Sequence, residues 1–189
     1  VILATGARSR NLSFVSSDGV NIWDYKTAMT PPKLPSSLII VGSGAIGMEF
    51  ASFYNDLGVD VTIVEAFPSI LPNEDTDISK IVKLSFEKRG IKIKTSSALK
   101  SVTTKENSVS AEIITNEKVE TINSEKLILA IGIIANTEKL GLKDFNIKID
   151  KGHIITNEFL ETDEKGIYAI GDITDGPWLA HKASHEGIL

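Results

Sequence analysis

Apolar residues in this chain fall into short runs separated by glycines, prolines and charged turns, and the period of the runs changes along the sequence. Residues 1–6 read as a strand closing on a glycine, and 9–20 are polar and turn-rich. Residues 23–29 predict a short helix. The prolines that follow (Pro31, Pro32, Pro35) cannot continue it and mark a linker ending near residue 35. Residues 38–41 form a compact apolar run of the kind buried on both faces of a parallel sheet. After a glycine-rich turn at 42–44, residues 45–57 predict a helix. In it Ile46, Phe50, Phe53 and Leu57 recur at three- and four-residue steps, and Gly58 is its stop. A second strand is expected over 59–65. A second helix, capped by Asp75 or Asp77, should run to Arg89 with Ile78, Ile81, Leu84 and Phe86 mostly on one side. A third strand covers 91–94.

From Ala98 to Ile122 the period falls to two. Val109, Ala111 and Ile113 alternate, as do Val119 and Thr121, with a hairpin turn at 115–118. Residues 127–131 return to the buried type, and 147–149, 154–155 and 167–170 are short strand candidates. The pattern predicts an α/β fold. It has a Rossmann-like domain over 35–150, with a central parallel sheet, helices and an antiparallel β-meander, flanked by segments 1–34 and 151–189.

Charge narrows the function classes. The 189 residues carry a net charge of −5, with lysines and arginines interleaved among acids, so no basic footprint is offered to nucleic acid or an anionic membrane. The apolar runs at 37–47 and 127–135 fall short of the roughly 20 residues a membrane-spanning helix needs. A charged signal-peptide start is missing, and a cytoplasmic location is expected. There is no cysteine, which removes disulfides and thiolate chemistry from these residues. With three histidines only, no metal site is expected. Because Val1 stands inside a strand-like run and the stretch to Leu189 is helical, the chain reads as a fragment.

The strongest local signal is Gly42-Ser43-Gly44-Ala45-Ile46-Gly47, a G-x-G-x-x-G turn placed after a strand and opening a helix. Gly42 permits the tight turn, Gly44 lets a pyrophosphate approach the backbone, and Gly47 lets the helix pack close to the strand. The helix start then offers unpaired N–H groups and a partial positive charge to phosphates. An acid belongs at the end of the second strand, ~20 residues on; Glu65 stands 23 positions after Gly42 (65 − 42). Its carboxylate suits ribose hydroxyls and repels a 2′-phosphate. Residues 66–72 contain no Arg or Lys, so NAD is expected rather than NADP.

Three further segments carry a resemblance. Val1-Ile2-Leu3-Ala4-Thr5-Gly6 and Leu127-Ile128-Leu129-Ala130-Ile131-Gly132 repeat one pattern, and Ala169-Ile170-Gly171-Asp172 is followed by Trp178-Leu179-Ala180-His181-Lys182-Ala183. With the glycine loop, these resemble the flavoprotein pyridine nucleotide-disulfide oxidoreductases, and among them the branch that oxidises dihydrolipoamide. The resemblance runs nearly the whole chain.

It implies that Ala4, Thr5, Gly6, Asp172, Trp178, Leu179, Ala180 and His181 contact FAD. NAD would lie on Gly42, Ser43, Gly44, Ala45, Ile46, Gly47, Glu49, Glu65, Leu99 and Gly132. Glu49 matches the glutamate beside the nicotinamide and is the catalytic candidate. Segments 1–34 and 151–189 would then be pieces of a FAD-binding domain around an NAD-binding one.

Read from residues alone, Glu49 is an exposed helix acid and Asp172 a turn-capping aspartate, while Trp178, His181 and His185 are packing or surface residues. The run Ile133-Ile134-Ala135-Asn136-Thr137 lacks the Arg and Pro that the family often places there. Also missing from these residues are the family's redox Cys-x4-Cys pair, its flavin glycine loop and its interface domain. The fragment is therefore expected to be inactive alone. The resemblance further implies a homodimeric parent serving the lipoyl domains of 2-oxoacid dehydrogenase or glycine cleavage complexes. The alternatives are an NADH oxidase or ferredoxin-reductase type, or a non-catalytic NAD-binding module.

Overall fold

A computed structural model describes all 189 residues. Backbone contacts divide the chain into two compact units, Ser9–Gly132 and the pair Val1–Arg8 with Ile133–Leu189. These boundaries differ from the linker-based ones at 34/35 and 150/151. At the first boundary the difference arises because Trp23, placed by its sequence at the start of a helix ahead of the prolines, stands with Ile22 in a two-residue strand of the larger unit's sheet.

In that unit, β1 (Ile22–Trp23) precedes a short helix α1 (Tyr25–Met29) capped by Asp24, whose carboxylate accepts from the N–H groups of Lys26 and Thr27. Next come β2 (Ser37–Val41), α2 (Ala45–Asp56), β3 (Asp60–Val64), α3 (Thr76–Lys88) and β4 (Lys92–Lys94). A meander of β5 (Ser97–Lys105), β6 (Ser108–Thr115) and β7 (Lys118–Ser124) follows, and β8 (Lys126–Leu129) returns to the first sheet. That sheet is wholly parallel, in the order β1-β8-β2-β3-β4. The meander is antiparallel, and its second hairpin turns on Asn116 and Glu117, both with positive φ.

Alternation along the strands explains why two layers cover the parallel sheet. Leu38, Ile40, Val61, Ile63 and Ile128 face the helices, in one core with Trp23, Met48, Ala51 and Tyr54. Ile39, Val41, Val64, Leu127 and Leu129 face the meander and meet Val109, Ala111 and Ile113. Both faces are apolar, which is why β2 reads as an unbroken apolar run.

Two helix faces differ from their sequence reading. In α2 the buried residues are Gly47, Met48, Ala51 and Tyr54, while Ile46, Phe53 and Leu57 are exposed. Small residues at 47 and 51 bring the helix close to the sheet, and Tyr54 is held by a 2.6 Å hydrogen bond from its hydroxyl to the Ala28 carbonyl. In α3 the inward residues are Ser79, Val82 and Phe86, leaving Ile78, Ile81 and Leu84 outside. Ser79 faces inward with its hydroxyl donating to the Leu71 carbonyl, on the same side as Val82 and Phe86, which pack against the core. Of the two candidate caps, Asp75 is the one used.

The smaller unit is built around a parallel pair, Ile2–Leu3 with Tyr168–Ala169. A hairpin of Ile149–Asp150 and His153–Ile154 and the helix α4 (Ala180–Glu186) complete it. Ala135, Leu142, Ile154, Ala169 and Ile173 form its core. No helix of the chain is long and apolar enough to cross a membrane.

Candidate functional site

The carboxyl ends of β2, β3 and β8 surround a cleft of about 420 Å³. Its floor is the glycine loop, and each glycine there answers to a different neighbour. Gly42 has φ +99°, and a Cβ on it would run into the main-chain carbonyl of Ala130 in the loop after β8. A Cβ on Gly47 would run into the Gly42 carbonyl. A Cβ on Gly44 would meet nothing within 4 Å, so the space beside it is open. Gly44 is also the N-cap of α2, and no side chain caps that helix start. An uncapped helix start beside backbone with no side chain in the way is suited to bind a phosphate group.

Glu65 follows β3, lines this cleft and is 5% exposed. One oxygen, Oε2, accepts from the Ser43 N–H at 2.8 Å and the Ser43 hydroxyl at 2.6 Å, and Oε1 accepts from the Phe67 N–H at 2.8 Å. The carboxylate therefore clamps the glycine loop to the end of β3, a duty its sequence position did not announce. A carboxylate has about four acceptor positions, so these three bonds leave about one unused. Leu99 and Gly132 line the same cleft, together with Leu12, Phe67 and Asn73, which the sequence pattern had not singled out. These three sit in irregular segments with no period to mark them.

Glu49 lies elsewhere. It is exposed in the second turn of α2, beside Met29, Phe50 and Phe53 and outside the cleft. Ala45 and Ile46 are exposed in the first turn.

In the smaller unit, the Ala4-Thr5-Gly6 turn and Asp172 follow neighbouring parallel strands and so emerge at the same strand ends. The turn is fixed by Asn136. Its amide donates to the Thr5 carbonyl, its N–H donates to the Gly6 carbonyl, and the Thr5 hydroxyl donates to the Asn136 carbonyl, each at 2.9 Å. Gly171, at φ +76°, gives its N–H to Glu186, which in turn pairs with Lys182 at 2.8 Å. Trp178 is half exposed and stacks on His153 with ring centroids 5.6 Å apart; Leu179, Ala180 and His181 are exposed.

The family model described as pyridine nucleotide-disulphide oxidoreductase matches residues 1–187. The chain belongs to this family. Among curated relatives, the dihydrolipoyl dehydrogenase of Zymomonas mobilis is 48% identical over the whole chain, and that of Rhizobium etli 47%. The chain spans 41% and 40% of their respective lengths. Among solved structures, LpdA from Mycobacterium tuberculosis superposes with a TM-score of 0.89 at 33% identity, over 98% of this chain and 40% of that one. A copper complex of the HOCl-induced flavoprotein disulfide reductase RclA from Escherichia coli gives 0.87 at 26%, over 98% and 42%. The Rossmann-like reading, with its parallel sheet and antiparallel meander, agrees with these family members.

Proposed function

We propose that this chain is the NAD-binding part of a dihydrolipoyl dehydrogenase, carrying in addition two strips that contact FAD. One observation carries the reading: open space at Gly44 beside an uncapped helix start, with a buried carboxylate bonded to the adjacent Ser43. The names of the relatives supply the substrate class.

In this reading the N–H groups at the start of α2 hold the pyrophosphate, and the free acceptor position of Glu65 takes a ribose hydroxyl. Leu99 and Gly132 form the wall against which the rest of the dinucleotide lies. Ala4, Thr5, Gly6 and Asp172 face the flavin side, with Trp178, Leu179, Ala180 and His181 as its border. Glu49, exposed outside the cleft on the second turn of α2, would pair beside the nicotinamide with a lysine supplied by the rest of the protein. When bound, the two cofactors carry the hydride chemistry, passing electrons taken from dihydrolipoamide to NAD. The full protein would be a homodimer acting on lipoyl domains.

The test is a fluorescence titration of the chain with NADH and with NADPH. Saturable binding of NADH with at least tenfold weaker NADPH supports the reading. Equal binding of both, or preference for NADPH, overturns it.

A further inference from the structure

The end of the parallel sheet opposite the glycine loop carries a notch lined in large part by polar side chains. The pairings Ser37↔Asp60, Ile39↔Thr62 and Thr62↔Lys92 place Asp60, Thr62 and Lys92 on the face that looks toward the meander. Further along the strands that face is apolar and packs on Val109, Ala111 and Ile113. At the amino-terminal end the apolar filling thins to Ile39 and Ile122 and polar side chains take over. Across the gap, period-two alternation in β7 turns Glu120, Ile122 and Ser124 toward the sheet. Between the two layers lies a notch of about 340 Å³, within the range of small-molecule pockets.

Its chemistry selects among ligands. Lys94 binds both oxygens of Glu120, at 2.9 and 2.8 Å, tying the two layers together, and Lys92 binds both oxygens of Asp60 at 3.0 and 2.8 Å. Two cations and two anions cancel, so a charged ligand gains little and would have to displace a pair. What is left is hydrogen-bonding capacity: unused carboxylate lone pairs, ammonium protons, and two wall hydroxyls, Thr62 at 7% exposure and Ser124 at 7%. The Ser124 hydroxyl is buried without a hydrogen-bond partner. Leaving such a group unpaired is unfavourable, and rotation about one bond redirects it. We infer that this notch binds a small, uncharged polyhydroxylated molecule of sugar or cyclitol size, with Ser124 and Thr62 as its anchoring hydroxyls and the two ion pairs as its rim.

The experiment is a titration of the isotope-labelled 189-residue chain with myo-inositol, followed residue by residue by NMR. Expected are saturable shifts in the millimolar range at Thr62, Lys94, Ile122 and Ser124, with signals of Gly44 and Ser43 unmoved. Ser124→Ala should weaken binding by roughly three- to tenfold, the loss of one hydrogen bond. Thr62→Val gives the same readout should the first variant fail to fold. Absence of saturable shifts at these residues, unchanged affinity in both variants, or displacement of inositol by glycine or inorganic phosphate at equal concentration would each overturn the assignment.

Discussion

Ser43 gives both its N–H and its hydroxyl to a single oxygen of Glu65, at 2.8 and 2.6 Å, with both residues buried. The acid that marks a dinucleotide fingerprint thus also holds the shape of the loop it faces. Under the proposed function, ribose recognition and loop stability would both depend on this one carboxylate.

Glu65→Gln should reveal that coupling. The variant keeps the size of the side chain but loses the charge that strengthens its hydrogen bonds, a cost of about 1.5–3 kcal/mol. Urea unfolding should report that loss, and the NADH titration a fall in affinity of tenfold or more. Ser43→Ala removes only the hydroxyl contribution and should cost about 1 kcal/mol with a smaller effect on NADH. A Glu65→Gln variant of unchanged stability would refute the clamp.

Alanine at Gly44 and alanine at Gly47 should give two different outcomes. Gly44→Ala meets no atom and should fold with native stability, losing NADH affinity because its methyl group occupies the phosphate cradle. Gly47→Ala drives a methyl into the Gly42 carbonyl and should destabilise the unit by more than 2 kcal/mol, in the range of strained core substitutions. Circular dichroism melts and ligand titration distinguish them.

Tyr54 predicts an alkaline limit. Burial pushes its phenol up to about 12, from the ordinary value near 10. The folded state therefore keeps a proton that the unfolded chain gives up. Stability from this group is complete below pH ~10 and declines as pH rises toward about 12, by up to roughly 2–3 kcal/mol. Tyr54→Phe should remove that part of the pH dependence in a series of denaturation curves, along with the hydrogen bond to Ala28.

The pair Lys182–Glu186 should behave asymmetrically under substitution. Both side chains are mostly buried, at 16% and 14% exposure, and Glu186 also accepts the Gly171 N–H. Lys182→Met alone leaves the carboxylate without its cation, while Lys182→Met with Glu186→Gln removes both charges. Hydrogen exchange in α4 should accelerate more in the single variant than in the double one.

Much of this architecture was legible in the chain. Buried strands announced themselves as apolar runs, the meander by its period of two at Val109, Ala111 and Ile113, and the loop by its glycines. The helices were harder. In α2 the eye follows Ile46, Phe53 and Leu57, but close packing selects the small face of Gly47 and Ala51, because a tight approach to a sheet favours small residues over large ones. The serine clamp was invisible for another reason. Ser43 occupies a position where the glycine pattern tolerates any residue, and its partner is 22 residues away. Likewise β1, only two residues long, has too little sequence to show a period.

The obstacle opposite Gly42 is a main-chain oxygen, not a side chain. Repacking cannot move it, since every amino acid at position 130 presents the same carbonyl. A library randomising positions 42 and 130 together should therefore return glycine at 42 alongside varied residues at 130, and no suppressor of a position-42 lesion should ever map to its neighbour.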